Sequence, residues 1–156
     1  MKRTAPDFKL SQHEAASGAG CDRVRQWLRE HNLAVNGEFM HKLQAPEHQA
    51  VPVVILGEIG GEVVGGLLAE TQLAWLKISI MAVDPRFRFQ GIGAALLAEA
   101  ERVAALRGCK HSYVDTMSNQ APEFYLRHGY HLAGNIADWD SHGHAKCLLT
   151  KDLKAV

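Results

Sequence analysis

Residues 86–97 read RFRFQGIGAALL. Gly91 and Gly93 stand one residue apart behind Arg86 and Arg88, and an apolar helix pattern begins at once. Ile92, Leu96, Ala100, Val103 and Leu106 recur at three- or four-residue steps, with Glu99, Arg102 and Arg107 off that stripe. Gly108 marks its end. The first turn of a helix exposes N–H groups without partners and carries partial positive charge. A glycine leaves room for an anion to approach them, because no Cβ stands in the way. The segment therefore reads as a seat for a phosphate, with Arg86 and Arg88 available for charge-assisted contacts. The plain alternative is a loop merely shaped by its glycines.

Two common phosphate motifs do not fit. A P-loop requires Gly-x-x-x-x-Gly-Lys-Ser/Thr, and here Gly93 is followed by Ala94 and Ala95. A dinucleotide fold wants a small third residue where Leu96 stands, and a tight turn directly off its strand. The acid that it would place on a ribose has a counterpart in Asp115. But the strand ahead of Gly91 closes an antiparallel run and does not open a βαβ unit.

That run occupies residues 51–83. VPVVILGE is an apolar strand, IGGE a turn, VVGGLLAET a second strand and WLKISIMAV a third. Short Gly-containing links between β-rich runs predict antiparallel hairpins. Asp84-Pro85 ends the third strand. Downstream, HSYVDT at 111–116 is a strand, residues 120–128 a short helix ended by Gly129, and YHLAGNIAD and HAKCLLTKDL two closing strands. Upstream, Val24, Trp27 and Leu28 predict a helix from Cys21 to about Leu33, broken at Asn36-Gly37. Residues 7–11 are expected as a short strand and 41–50 as a polar loop.

The 156 residues are 47% hydrophobic and 22% charged, with no net charge. This is a folded composition without the basic field that nucleic acid or an anionic membrane would need. The length suits one domain over 1–156 of mixed α/β class. The N-terminus lacks the apolar run of a secretory signal, and a cytoplasmic location is expected. Cys21, Cys109 and Cys147 are odd in number and far apart, as free thiols in a reducing compartment would be. His142, His144 and Cys147 lack the spacing of a zinc site, so no metal is expected.

Two segments carry a family resemblance. VDPRFRFQGIGAALL resembles the acyl-CoA-binding segment of GNAT-type N-acetyltransferases, whose Arg/Gln-x-x-Gly-x-Gly/Ala pattern falls on Arg88, Gly91 and Gly93. DTMSNQAPEFYLRHGY is similar to the family's strand–loop–helix, with Asn, then Phe-Tyr, then Gly-aromatic. The resemblance covers roughly 51–153, and a Gly-His followed by a strand ending Lys-x-Leu recurs in a bacterial branch. Phe89 departs from the pattern, since many members have glycine there. A side chain is tolerated there if the residue keeps a negative φ, and it changes the loop's outer contacts.

The resemblance implies an antiparallel meander followed by parallel strands that splay apart, here 75–84 and 111–116, flanked by helices. It implies acetyl-CoA as cosubstrate and a small-molecule or peptide amine as acceptor, by direct attack in a ternary complex. A homodimer is a further expectation, dimers being common in the family. Cofactor contacts carried over from the family fall on Met81, Ala82 and Val83, on Arg88, Phe89, Gln90, Gly91, Ile92, Gly93 and Ala94, and on Asn119 and Tyr125. The main-chain amides from 89 to 94 would surround the pyrophosphate, and a strand amide near 81–83 would stabilise the oxyanion. Tyr125 matches the acid that protonates the leaving thiolate; standing alone it would read as a packed helix aromatic beside Phe124. Asn119 also suits a helix cap.

Some members carry a glutamate base on the third strand. Here Lys77 and Ser79 occupy that region, and Glu70, His111 and Asp115 are weaker candidates, so no base is assigned. The loop DWDSHGHAK at 138–146 offers Asp138, Asp140 and Trp139 to a cationic amine, or is a solvated turn. The rival reading is a catalytically inactive module of this family that only holds acyl-CoA; a domain for another phosphorylated ligand is a third.

Overall fold

A computed structural model describes residues 7–154. The chain divides between Ala45 and Pro46 into two compact units. In the first, α1 (Ala19–Gln44) has a non-helical residue at Asn36 (φ −151°, ψ 52°). The Asn36-Gly37 break is therefore a kink and not an end. Residues 38–44, EFMHKLQ, are largely good helix formers and resume the helix where a polar loop was expected. Pro46 stops it by holding Ala45 extended (φ −66°, ψ 135°). Residues 7–11 do not form the expected strand. All six strands of the sheet come from the second unit.

That unit opens with the meander: β1 (Val51–Ile59), β2 (Glu62–Gln72) and β3 (Trp75–Val83). Gly60 and Gly61 both take positive φ, 60° and 85°, the turn geometry that matches strand twist in a two-residue hairpin. Next come α2 (Ile92–Leu106), β4 (His111–Met117), α3 (Pro122–Arg127), β5 (His131–Ile136) and β6 (Lys146–Asp152). The sheet order is β1-β2-β3-β4-β6-β5. Only β3–β4 is parallel; β6 returns to lie between β4 and β5. The expected mixed α/β architecture is the observed one.

Of the predicted stripe of α2, Leu96 and Ala100 are buried and Ile92 and Val103 pack partly buried, while Leu106 is exposed; Leu97 and Ala104, off that stripe, are buried with them against a core that includes Val53, Leu67, Leu76, Ile78, Val114 and Leu149. Small residues draw the helix close: a Cβ on Gly65 of β2 would stand 3.2 Å from Ile92 and 3.3 Å from Leu96. The helix ends as Gly108 predicts. Cys109 N–H donates to Ala104 O and Gly108 N–H to Ala105 O, both at 2.9 Å, with Gly108 at φ 82°. Arg107 then reaches back to Pro52 O (3.0 Å) and Thr71 Oγ1 (3.1 Å), pinning this end of α2 to β1 and β2.

Behind α2 lies a polar group of its own. Lys151 Nζ meets Glu101 at 2.6 Å, and Ser112 Oγ lies 2.7 Å from Tyr130 OH. The three cysteines are free, Cys109 and Cys147 buried. Among the described residues no helix is long and apolar enough to cross a membrane.

Leu97 is 1% exposed in this core and Leu106 61%. Leu97→Ala is expected to lower unfolding free energy in urea by about 2–5 kcal/mol, and Leu106→Ala to change it by no more than about 0.5 kcal/mol.

Candidate active site

β3 and β4 pair only from Trp75↔His111 to Ile78↔Val114. The cause lies on the other edge of β3. Ile78 pairs with Ala69 and Ile80 with Leu68, so Ser79 is an extra residue in the β2–β3 ladder. Such a bulge bends its strand, and from there β3 leaves β4. Side chains re-phase with it: Leu76 and Ile78 are buried before the bulge, Met81 and Val83 pack inward after it.

The main-chain directions beyond the bulge follow from one bond. Asp84 N–H donates to Val64 O at 2.9 Å. Opposed residues in an antiparallel pair alternate between bonded and non-bonded, so Ala82 and Ile80 also face β2. The polar groups of Met81 and Val83 therefore point the other way, into the gap. Arg88 Nε donates to Val83 O at 3.1 Å, which fits that direction. By the same phasing the Val83 N–H and both polar groups of Met81 face the groove that these residues line, and among the described residues β4 does not pair with them.

The gap is one wall of a groove of about 980 Å³ that runs to the start of α2. Gly91 caps α2 with φ 85° and no side-chain bond to the helix end. A Cβ there would meet nothing within 4 Å, so glycine serves the left-handed backbone. Ala95 N–H is the first to bond back, to Gly91 O at 3.0 Å; the amides of Ile92, Gly93 and Ala94 precede it and have no helical acceptor. A Cβ on Gly93 would stand 3.4 Å from the Phe124 ring, an ordinary contact. Packing does not demand glycine there, and its absent side chain leaves the groove wall bare.

The loop between β3 and α2 is braced from within. Arg86 is held by Asp84 (2.6 Å) and Glu62 (3.0 Å), and Asp84 also accepts from Arg86 N–H. The Arg86 hydrogen bonds hold the Asp84 carboxyl below its ordinary range. Arg86 thus serves its own loop and is not the free phosphate contact expected from its position. Arg88 does line the groove.

The condition for an easy side chain at Phe89 is not met: its φ is +63°. Arg88 ahead of it is extended (φ −64°, ψ 158°), and the pair has the shape of a turn that calls for glycine or asparagine at its second place. A side chain there costs about 1–2 kcal/mol.

Of the residues expected in the site, Met81, Ala82, Val83, Arg88, Phe89, Gly91, Ile92, Gly93, Ala94, Asn119 and Tyr125 all line this groove; Gln90 does not, and its side chain donates to Arg86 O at 3.4 Å. Tyr125 is 4% exposed and packs edge-on against Phe124 and Tyr130. Burial pushes its phenol up to about 12. Among the described residues nothing hydrogen-bonds its hydroxyl. Asn119 does not cap α3, which has no side-chain cap.

His128, which the sequence reading missed, also lines the groove. Its Nδ1–H donates to Phe124 O at 2.7 Å and its ring lies on Phe124. The helical repeat from Phe124 was the available signal.

The weaker base candidates are engaged elsewhere. Glu70 faces Lys77 (3.7 Å), His111 meets Asp152 (2.7 Å), and Asp115, in the groove wall, meets Lys146 (3.1 Å). The 138–146 loop spends its acids on itself. Asp138 accepts from Gly143 N–H, Asp140 accepts from His142 N–H and pairs with His144 (2.6 Å), and Trp139 covers Lys146. Among the described residues no three metal-ligand side chains converge.

A parted parallel pair leading to a bare helix start defines a class of protein. Residues 51–132 match the family model for the acetyltransferase (GNAT) domain. The chain is 43% identical over 94 residues to blasticidin-S acetyltransferase of Streptomyces morookaense, covering 60% of this chain and 68% of that protein. It is 39% identical over 135 residues to an acetyltransferase of Agrobacterium fabrum, covering 86% and 91%.

An acetyltransferase from Bacillus cereus, solved at 1.9 Å, superposes with TM-score 0.71 at 26% identity over 92% of this chain and 98% of that one. An aminoglycoside 6′-N-acetyltransferase solved with coenzyme A superposes at 0.61 over 94% and 97%, at 16% identity, a likeness of fold alone. The chain belongs to the GNAT family and is an acyl-CoA-dependent acetyltransferase.

Gly91→Ala places a side chain at φ 85°. It is expected to lower unfolding free energy by about 1–2 kcal/mol in urea denaturation, with the α2 helix still present by circular dichroism.

Proposed function

We propose that this groove holds acetyl-CoA and that the chain moves its acetyl group to a primary amine of a small molecule, by direct attack in a ternary complex. One observation carries this reading: an edge of unpaired strand, at Met81 and Val83, runs straight to a helix start whose amides no side chain occupies. The donor set suits the ligand. Amides of residues 89–94 and the Arg88 guanidinium match a pyrophosphate, and a bare strand edge matches the amides of a pantetheine arm.

When bound, acetyl-CoA supplies an activated acyl carbon. The chain's residues do the rest. Met81 and Val83 align the arm, and the N–H of Met81 or Val83 receives the charge that develops on the acyl oxygen, in a slot that needs no rearrangement. Asn119 contacts the arm from the opposite wall. Tyr125 gives its proton to the departing sulfur and regains one from water, which also takes the proton that the attacking amine sheds; burial holds the phenol near 12, so it is protonated at neutral pH.

The single-domain reading of 1–156 is supported by the Agrobacterium fabrum relative. Its 135-residue match is longer than the second unit and so extends into the first. The small-molecule acceptor is supported by the 43% identity to a blasticidin-S acetyltransferase. Blasticidin S is accordingly the first acceptor to test, ahead of a panel of primary amines.

The experiment pairs calorimetric titration of acetyl-CoA with free-thiol release on that panel. Binding at micromolar levels with amine-dependent thiol release is expected. Tyr125→Phe should lower kcat by about 10²-fold with acetyl-CoA affinity unchanged. An unaltered kcat removes Tyr125 as the acid, and no binding removes the groove as the acetyl-CoA site.

A further inference from the structure

Two phenylalanines stand in the loop ahead of α2, and they differ in what they do for the fold. Phe87 is half-buried, with the Arg86 guanidinium 5.4 Å from its ring centre. Phe89 is 105% exposed, and among the described residues no ring or cation stacks on it. Its backbone is left-handed at φ 63°. An aromatic ring left in water forgoes the gain of burial, and a left-handed conformation penalises any residue with a Cβ. The left-handed backbone shapes the turn into α2, but the exposed ring is repaid by no packing contact. Unfavourable conformations that persist without a structural return are found where a ligand is handled, and Phe89 lines the groove beside Arg88 and Gly91.

Resting on the reading that the groove takes acyl-CoA, we propose that Phe89 is a platform on which the adenine ring of the coenzyme stacks. The order of parts in the ligand directs it there. Coenzyme A carries pantetheine on one side of its pyrophosphate and adenosine on the other. With the arm along β3 toward Ile78 and the pyrophosphate at the start of α2, the adenosine leaves the groove at the opposite end. That exit passes over the 84–91 loop, whose outermost ring is Phe89. A purine and a phenyl ring offer each other flat faces of matching chemistry, and an offset stack between them excludes water from both. The Phe89 ring is fully exposed at the groove lip, free to lie against such a ligand.

The test separates the two halves of the ligand. Calorimetry measures coenzyme A and 4′-phosphopantetheine, which has the arm but no adenosine, against the wild type, Phe89→Asn and Phe89→Trp. Asparagine enters the left-handed region more readily than other side-chain-bearing residues, so that variant deletes the ring and spares the turn. Phe89→Asn should weaken coenzyme A about five- to tenfold, the lower range for a base on an aromatic ring, and leave 4′-phosphopantetheine unchanged. Phe89→Trp should retain coenzyme A affinity, with indole fluorescence quenched by coenzyme A and not by 4′-phosphopantetheine.

Equal losses for both ligands, no loss of coenzyme A affinity, or an unquenched indole each overturn the platform. If the wild type binds neither ligand, the groove reading itself fails, which is a different result. Thermal melts accompany each variant; should Phe89→Asn unfold early, the Phe89→Trp fluorescence decides alone.

Discussion

One surplus residue governs this molecule. Ser79 has no partner in the β2–β3 ladder, and the bend it introduces separates β3 from β4 one residue after Ile78. A sheet ordinarily satisfies its main-chain groups strand by strand. Here the β3 edge at Met81 and Val83 is released from that duty but remains extended, because β2 still holds its other edge through Val83. A strand edge in this condition is a template for anything with amides of its own. The groove is therefore a consequence of register and does not depend on any special side chain.

The second half of the site is built by bracing rather than by parting. Asp84, Arg86 and Glu62 lock the loop ahead of α2 with exposed but mutually supporting bonds. Gly91 and Phe89 both turn left-handed within it. At the far end of α2, Arg107 and the Gly108 turn fix the helix to β1 and β2. Held at both ends, α2 presents its uncapped first turn along the line of the β3 edge. The negative end of a ligand and its amide-bearing arm would then be fixed by one rigid element each, which is what placing a reactive carbonyl requires.

Much of this was legible in the sequence because periodicity reports burial. The meander's strands fall within a residue or two of their expected limits, and α2 starts and stops at its glycines. The groove-lining residues were reachable through the family pattern, since Arg88, Gly91, Gly93, Asn119 and Tyr125 keep its spacing. What escaped depends on relations between strands. Nothing in WLKISIMAV marks Ser79 as the unpaired residue; the bulge exists only against β2. The sequence shows a side chain at Phe89 but not its φ, and the chain accepts the cost of a left-handed residue at the groove lip. Charge shows in a sequence, so the acids of the 138–146 loop read equally as a site for a cationic amine or as a solvated turn. Their actual use, closing the loop on its own amides, does not show.

The central claim is that main-chain groups of β3 beyond the bulge stand open until a ligand closes them. Residue-resolved amide hydrogen exchange, with and without saturating coenzyme A, tests it directly. In the free protein Met81 and Val83 should exchange fast while Ile80 and Ala82, which face β2, exchange slowly; coenzyme A should slow the fast pair. Slow exchange at Met81 and Val83 without ligand, or fast exchange that coenzyme A leaves unchanged, would contradict the account.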